Sequence, residues 1–147
     1  MFSKTAFIVA ILATISLTSA TVVQKCPTGN EPIFVEIANC DVEPCQLVDY
    51  AEMLVIFRAT NNSSTLVPKV RAKVGPLTII YPLEGDLADG CNSILNGHCP
   101  VAQSEVLVYQ MSLPVDILPK IPVNLEFSLL GDDGIVFQCF KVDCVVA

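Results

Sequence analysis

Histidine is almost missing from this sequence and tryptophan is missing altogether, since His98 is the one histidine among 147 residues. The cysteines include no Cys-x-x-Cys pair, so the usual ligand sets of a structural zinc site are not available. His98 lies in a short loop between two cysteines, where a solvated loop histidine explains it better than a catalytic base. The sequence therefore predicts no catalytic residues, no metal and no cofactor.

Basic residues are also scarce. The chain has 8 Lys and Arg against 15 Asp and Glu, a net charge of −7, and losing an N-terminal segment that contains Lys4 would lower this to −8. No run of basic residues occurs. Nucleic acid and anionic membrane surfaces are therefore poor partners for the protein as a whole.

The acidic residues form no recognisable reaction centre. Asp132 and Asp133 could be imagined as a carboxylate pair for acid–base catalysis, but their Gly-Asp-Asp-Gly setting indicates a turn. Glu84, Asp86 and Asp89 lack the spacing of a calcium loop. We expect a binding protein that is not an enzyme.

Only one long apolar run is present, over residues 6–13, after a short start that contains Lys4. It is too short to span a bilayer, and it ends at small residues before Ala20, as a secretory signal peptide does. We expect cleavage after Ala20 and a single domain over residues 21–147. The domain would be soluble and secreted, to the extracellular space or the endolysosomal lumen. A buried N-terminal helix is the alternative.

No window of the sequence supports a long amphipathic helix, and ten prolines are spread through the chain. Alternation at period two recurs instead, and it predicts six or seven strands with one apolar face each. A two-sheet antiparallel β-sandwich buries the apolar face of every such strand, so this is the predicted fold. The clearest alternating segments are residues 33–37, 53–59, 70–74, 77–81, 107–111, 123–129 and 140–144.

All seven cysteines follow the apolar run, so in an oxidising compartment they are expected to form disulfides. Cys40 and Cys45 flank a short turn, and Cys91 and Cys99 flank a loop. The remaining pair is Cys26–Cys139, which joins the start of the domain to the last strand.

Cys144 is the odd cysteine. It lies five residues after Cys139, so in a regular strand the two side chains point to opposite faces. The face of Cys144 is apolar, which indicates a small buried hydrophobic residue. The alternative is a functional role for Cys144, as a reactive thiol or in an intermolecular disulfide.

The segment Asn61-Asn62-Ser63-Ser64 contains two overlapping acceptor motifs for N-glycosylation. Such a motif fits an exposed turn of a secreted protein. Asn61 and Asn62 are therefore candidate glycosylation sites, of which at most one is expected to be occupied.

The cysteine order and several short motifs resemble the ML lipid-recognition domain family, over nearly all of residues 26–147. Six cysteines follow the family order, with Cys144 outside it. Tyr81-Pro82 stands where sterol-binding members carry an aromatic residue followed by proline. The other matching segments are Pro44-Cys45-Gln46-Leu47, Asp89-Gly90-Cys91, Cys99-Pro100, Leu113-Pro114-Val115 and Gly131-Asp132-Asp133-Gly134.

This resemblance implies an immunoglobulin-like sandwich with three disulfides that holds a sterol or a fatty acid between its sheets. Positions that line the sterol pocket of the family fall on Tyr81, Val115, Leu118 and Pro119. Tyr81 and Val115 are expected nearest the entrance, because each adjoins a proline that stiffens its loop. Strand parity adds further inward residues to the predicted ligand-binding set. These are Val55, Phe57, Val74, Ile79, Tyr109 and Phe127.

A lipid carrier or transfer protein is the leading hypothesis for function. An immune-receptor accessory protein and a chemosensory carrier for small apolar ligands are the alternatives, because all three would share the pocket. The expected partners are the lipid and a membrane receptor or an acceptor membrane, and the protein itself is expected to be a monomer.

Overall fold

The computed structural model describes residues 20–147, so the predicted signal peptide lies outside the described residues except for Ala20. Residues 20–147 form nine strands and three short 3₁₀ turns. Within this range no helix is long and apolar enough to cross a membrane. The strands are β1 (Gln24–Lys25), β2 (Phe34–Ile37), β3 (Cys45–Leu47), β4 (Tyr50–Arg58), β5 (Val67–Val74), β6 (Leu77–Ile80), β7 (Val106–Pro114), β8 (Pro122–Leu130) and β9 (Val136–Val146).

The strands form two sheets that pack face to face. The larger sheet has six strands in the order β1-β9-β8-β5-β6, with β3 also paired to β9, and the smaller has the order β2-β4-β7. The predicted immunoglobulin-like sandwich is confirmed. One pairing differs from the antiparallel expectation, since β3 runs parallel to β9. Strands β1 and β3 have two and three residues, too few for a period-two pattern to reveal them.

Alternation in the sequence decides which side chains enter the core. In β4 the residues Ala51, Met53, Val55 and Phe57 are buried, while their neighbours are exposed or half-buried. Their partners in β7 alternate in the same way, so that Val55 lies opposite Tyr109 and Phe57 opposite Leu107. Because one face of each sheet is apolar, stacking these faces removes both from water.

The hairpin between β8 and β9 is irregular at one place. Its turn, Gly131-Asp132-Asp133-Gly134, is the predicted one, and Asp133 and Gly134 have positive φ angles of 61° and 73°. The register shifts just after Leu129, so that β9 carries one extra residue and Phe137 and Gln138 are both buried. A β-bulge of this kind places two consecutive side chains on the same face.

The three disulfides are the predicted ones. Cys26–Cys139, Cys40–Cys45 and Cys91–Cys99 have Cα–Cα distances of 5.8, 5.3 and 5.7 Å. Cys144 is free and buried, as predicted.

Candidate functional site

A small apolar cavity lies between the two sheets. Its volume is about 10 Å³, close to the space of one water molecule. Its walls are entirely aliphatic or aromatic apart from the thiol of Cys144 and the thioether of Met53. The lining residues are Ile37, Leu47, Ala51, Met53, Val70, Leu113, Leu125, Phe127, Phe140, Val142 and Cys144.

Aromatic rings close one end of this cavity. The Phe127 ring lies 5.6 Å from that of Phe140 and 5.8 Å from that of Tyr109, measured between centroids. Phe57 and Phe137 stack at 6.5 Å. The interior therefore has an aromatic layer and an aliphatic half, and the free space lies in the aliphatic half.

The structure brings part of the predicted ligand-binding set together in the core. Phe127 lines the cavity. Val55, Phe57, Tyr109 and Val115 are fully buried, and they pack in the core outside the cavity wall. Tyr81 and Leu118 are also buried, whereas Val74 and Pro119 are half-buried.

Ile79 departs from the expectation that it faces the interior. It lies directly opposite the buried Ala72, so it has the inward parity, yet its side chain is 41% exposed. The cause is the width of the sheets, because β6 is the edge of a six-stranded layer that faces a layer of only three strands.

Sequence reasoning missed most of the cavity wall. Ile37, Met53, Val70 and Val142 were all on the correct apolar face, but strand parity does not show where along a strand the free space lies. Leu47 belongs to β3, which has no local signal. The signal that the sequence offered for these residues was their place on the apolar faces of their strands.

The edges of the two sheets meet at Tyr81. Its hydroxyl donates a hydrogen bond to the backbone carbonyl of Pro114, the last residue of β7. Burial, with a smaller contribution from the nearby Asp116 carboxylate, raises the pKa of Tyr81 above its ordinary value. The phenol therefore stays a hydrogen-bond donor at neutral pH.

Two further titratable groups are held neutral inside the sandwich. Burial raises the pKa of Tyr109, and a Ser93 hydroxyl opposes this effect only in part. Burial, followed by the charges of Asp143 and Glu43, raises the pKa of the Cys144 thiol to about 12. Neither group supplies a nucleophile or a base at neutral pH.

Within residues 20–147, the potential metal ligands that come together in a group of three are Cys26, Glu126 and Cys139. Both sulfur atoms of this group form the Cys26–Cys139 disulfide, so neither is a thiolate that could bind zinc. His98 is exposed.

Comparison with known proteins identifies the family. The family model of the ML domain matches residues 20–146. The chain belongs to the ML domain family. The chain is also 27% identical over 109 residues to the NPC intracellular cholesterol transporter 2 of Canis lupus familiaris, covering 74% of this chain and 72% of that protein.

One solved structure shows the same fold as this chain. The crystal structure of a Niemann-Pick type C2 protein from the Japanese carpenter ant superposes with a TM-score of 0.71 at 16% identity, covering 86% of this chain and 99% of that one. Chicken MD-1 complexed with lipid IVa gives a TM-score of 0.48 at 17% identity, over 73% and 75% of the two chains.

Proposed function

We propose that this ML domain is a secreted lipid carrier that holds a sterol or a fatty acid between its sheets and catalyses no reaction. The observation that carries the proposal is the aliphatic cavity between the sheets, in a family member similar to a protein named a cholesterol transporter. Three disulfides fit an oxidising, secretory compartment.

The cavity must expand to hold such a ligand, because pockets for small molecules have volumes of roughly 300–1,000 Å³. Opening it would separate side chains that are already in contact, and the ligand would replace those contacts. A fatty acid with about 15 methylenes would gain on the order of 12 kcal/mol from burial, before association costs of several kcal/mol. This surplus is enough for micromolar or tighter binding.

A pair of alanine variants tests the location of the site. Ala51 lines the cavity and Ala59 does not, although both are buried in or just after β4. Ala51→Leu should fill the cavity and weaken binding of a fluorescent sterol or fatty acid. Ala59→Leu should overpack ordinary core, costing roughly 1–3 kcal/mol of stability while binding is retained.

Binding and thermal stability would be measured for both variants and the parent. If neither probe binds the parent protein, and mass spectrometry of the native secreted protein finds no bound lipid, the proposed function is wrong. If Ala51→Leu and Ala59→Leu weaken binding equally, the ligand does not lie in this cavity.

The hairpin of β5 and β6 is the surface we propose for contact with an acceptor membrane. Leu77 and Ile80 are 66% and 75% exposed at this edge. Lys69, Arg71 and Lys73 are exposed on the outer face of β5, and Arg71 lies directly opposite Ile80. Exposed apolar and basic side chains together favour an anionic bilayer, although the net charge of the whole chain is negative.

A vesicle-transfer assay tests this surface. Replacing Lys69, Arg71 and Lys73 together with Gln should slow sterol transfer to vesicles that contain anionic lipid and leave transfer to neutral vesicles unchanged. Lys25→Gln, an exposed lysine at the opposite edge of the same sheet, is the matched control. Equal transfer rates for the parent and the triple variant on anionic vesicles would show that this hairpin is not the membrane-contact surface.

A further inference from the structure

Gln138 is a buried amide without a hydrogen-bond partner. The side chain is 0% exposed, and neither its amide nitrogen nor its amide oxygen makes a hydrogen bond. Gln138 lies opposite the fully buried Leu129 and two residues before Phe140, which lines the cavity. Since residues two apart in a strand share a face, the amide points into the space between the sheets.

A bulge in the backbone brings a second side chain into the core beside Gln138. The register shift next to Leu129 makes Phe137 the extra residue of β9, so that Phe137 and Gln138 both face inward. Phe137 is held there by Phe57 and by close contact with Gly131, where an added Cβ would come within 2.4 Å of the ring. Bulges often lie beside functional sites, where they redirect a side chain.

An unpaired amide is costly at such a place. A buried polar group that loses its hydrogen bonds to water destabilises the fold, and native proteins leave few such groups unpaired. Phe140 lines the cavity, and two residues of strand correspond to about 7 Å. A ligand that enters from the aliphatic half and extends about 7 Å past Phe140 would therefore reach Gln138 with its inner end.

We propose that Gln138 binds the hydroxyl group of an uncharged lipid, a sterol or a long-chain alcohol, whose apolar part fills the cavity. This inference rests on the proposed lipid-binding function. The amide carbonyl would accept a hydrogen bond from the ligand hydroxyl, and the amide nitrogen would donate one to the hydroxyl oxygen. One small group would thus satisfy the donor and the acceptor together.

The charge distribution selects a neutral head group over a carboxylate. Every Lys and Arg of residues 20–147 is exposed or only half-buried, and the cavity wall contains no cationic residue. A carboxylate beside Gln138 would be a buried charge without a partner, which is far more costly than a buried hydroxyl. Fatty acids should bind with the carboxylate at the mouth of the cavity, independently of Gln138.

The test compares ligands with and without the hydroxyl group in two variants. Cholesterol, its 3-deoxy hydrocarbon, 1-hexadecanol, hexadecane and palmitate would compete with a fluorescent probe on the parent protein, Gln138→Leu and Leu129→Met. For each alcohol, its affinity is divided by the affinity of the hydrocarbon with the same skeleton. This ratio should be roughly tenfold lower in Gln138→Leu than in the parent protein. It should stay unchanged in Leu129→Met, which alters packing opposite Gln138 without altering polarity. Palmitate affinity should not change.

The preferred alcohol in the parent protein distinguishes a sterol from a linear lipid. An unchanged ratio in Gln138→Leu overturns the proposal while lipid binding stands, and binding of none of the five compounds overturns both. Gln138→Met serves as a second apolar variant if Gln138→Leu does not fold. A fall in palmitate affinity equal to that of the alcohols would show that Gln138 supports packing and does not recognise a hydroxyl.

Discussion

The phenol of Tyr81 is hydrogen-bonded to the carbonyl oxygen of Pro114, and this contact joins the edges of the two sheets. Tyr81 follows β6, the edge strand of the larger sheet, and Pro114 ends β7, the edge strand of the smaller one. The sheets must separate to enlarge a cavity of about 10 Å³. A bond between their edges therefore opposes ligand entry and exit.

Tyr81→Phe should accelerate ligand exchange, because it removes this hydrogen bond and keeps the ring. A neutral hydrogen bond of this kind contributes about 0.5–1.5 kcal/mol. If all of it is lost when the sheets part, the dissociation rate should rise roughly 2- to 10-fold. Stopped-flow displacement of a fluorescent lipid measures this rate, and Tyr50→Phe, at an exposed tyrosine, is the matched control. Identical rates for the parent and Tyr81→Phe would show that the contact does not limit exchange.

The same contact predicts a pH dependence at the alkaline end. Because the pKa of Tyr81 is raised in the folded protein, its stabilising effect is present below the ordinary tyrosine pKa of about 10 and declines as pH rises further. Urea unfolding midpoints of the parent should fall above that pH more steeply than those of Tyr81→Phe. Parallel curves for the two proteins would contradict this assignment.

The Cys26–Cys139 disulfide should stabilise the fold more than the others. It closes a loop with a sequence separation of 113, against 5 for Cys40–Cys45. The loop-entropy model gives about 5 kcal/mol for the first and about 2 kcal/mol for the second. Replacing each pair with Ala and measuring urea unfolding tests the ranking, with the Cys40–Cys45 pair as the control. A smaller loss for Cys26–Cys139 would contradict it.

The sequence predicted the architecture well because every strand longer than three residues carries its own alternating pattern. The alternating segments correspond to β2 and β4 to β9, and the cysteines paired as expected. The parallel β3–β9 pairing was not predictable, because Cys45–Leu47 is too short to show a pattern and its position depends on tertiary contacts. Ile79 shows a second limit of prediction from sequence. Strand parity predicts which face of the sheet a side chain occupies, but not whether the opposing sheet is wide enough to cover it.

The candidate site was predicted less completely than the fold. Phe127 was expected in the cavity and lies there, whereas the contacts of Val115 and Leu118 with a ligand stay predictions. Gln138 has the same parity as Phe140, but Phe137 could not be expected in the core beside it, because strict alternation gives Phe137 and Gln138 opposite faces. Only the bulge in β9 brings both inside, and a bulge has no reliable signature in the local sequence.

Glycosylation at the overlapping acceptor motifs should lower electrophoretic mobility without changing the fold. Asn61 and Asn62 are both exposed in the loop between β4 and β5. The Asn62 carboxamide oxygen accepts a hydrogen bond from the backbone of Gln103 at 2.7 Å, which leaves its nitrogen available for a glycan. Protein from a eukaryotic secretory host should lose mass on glycosidase treatment, and Asn61→Gln and Asn62→Gln identify the acceptor. An unchanged mass would show that neither asparagine carries a glycan, but it would not contradict secretion.

Cys144 should report directly on opening of the cavity. Its thiol lines the cavity and is the free one among the described cysteines. Burial, with Asp143 and Glu43, raises its pKa to about 12, so at pH 8 it is both inaccessible and protonated. A disulfide reagent should therefore label the native protein far more slowly than the urea-unfolded protein.

A bound lipid should slow labelling of Cys144 further, and Tyr81→Phe should speed it, because both change how often the cavity opens to the reagent. Cys144→Ala should abolish labelling, since the remaining six cysteines form disulfides. Labelling of the native protein as fast as that of the unfolded protein would show that the thiol is already accessible, and the cavity would then be open without any separation of the sheets.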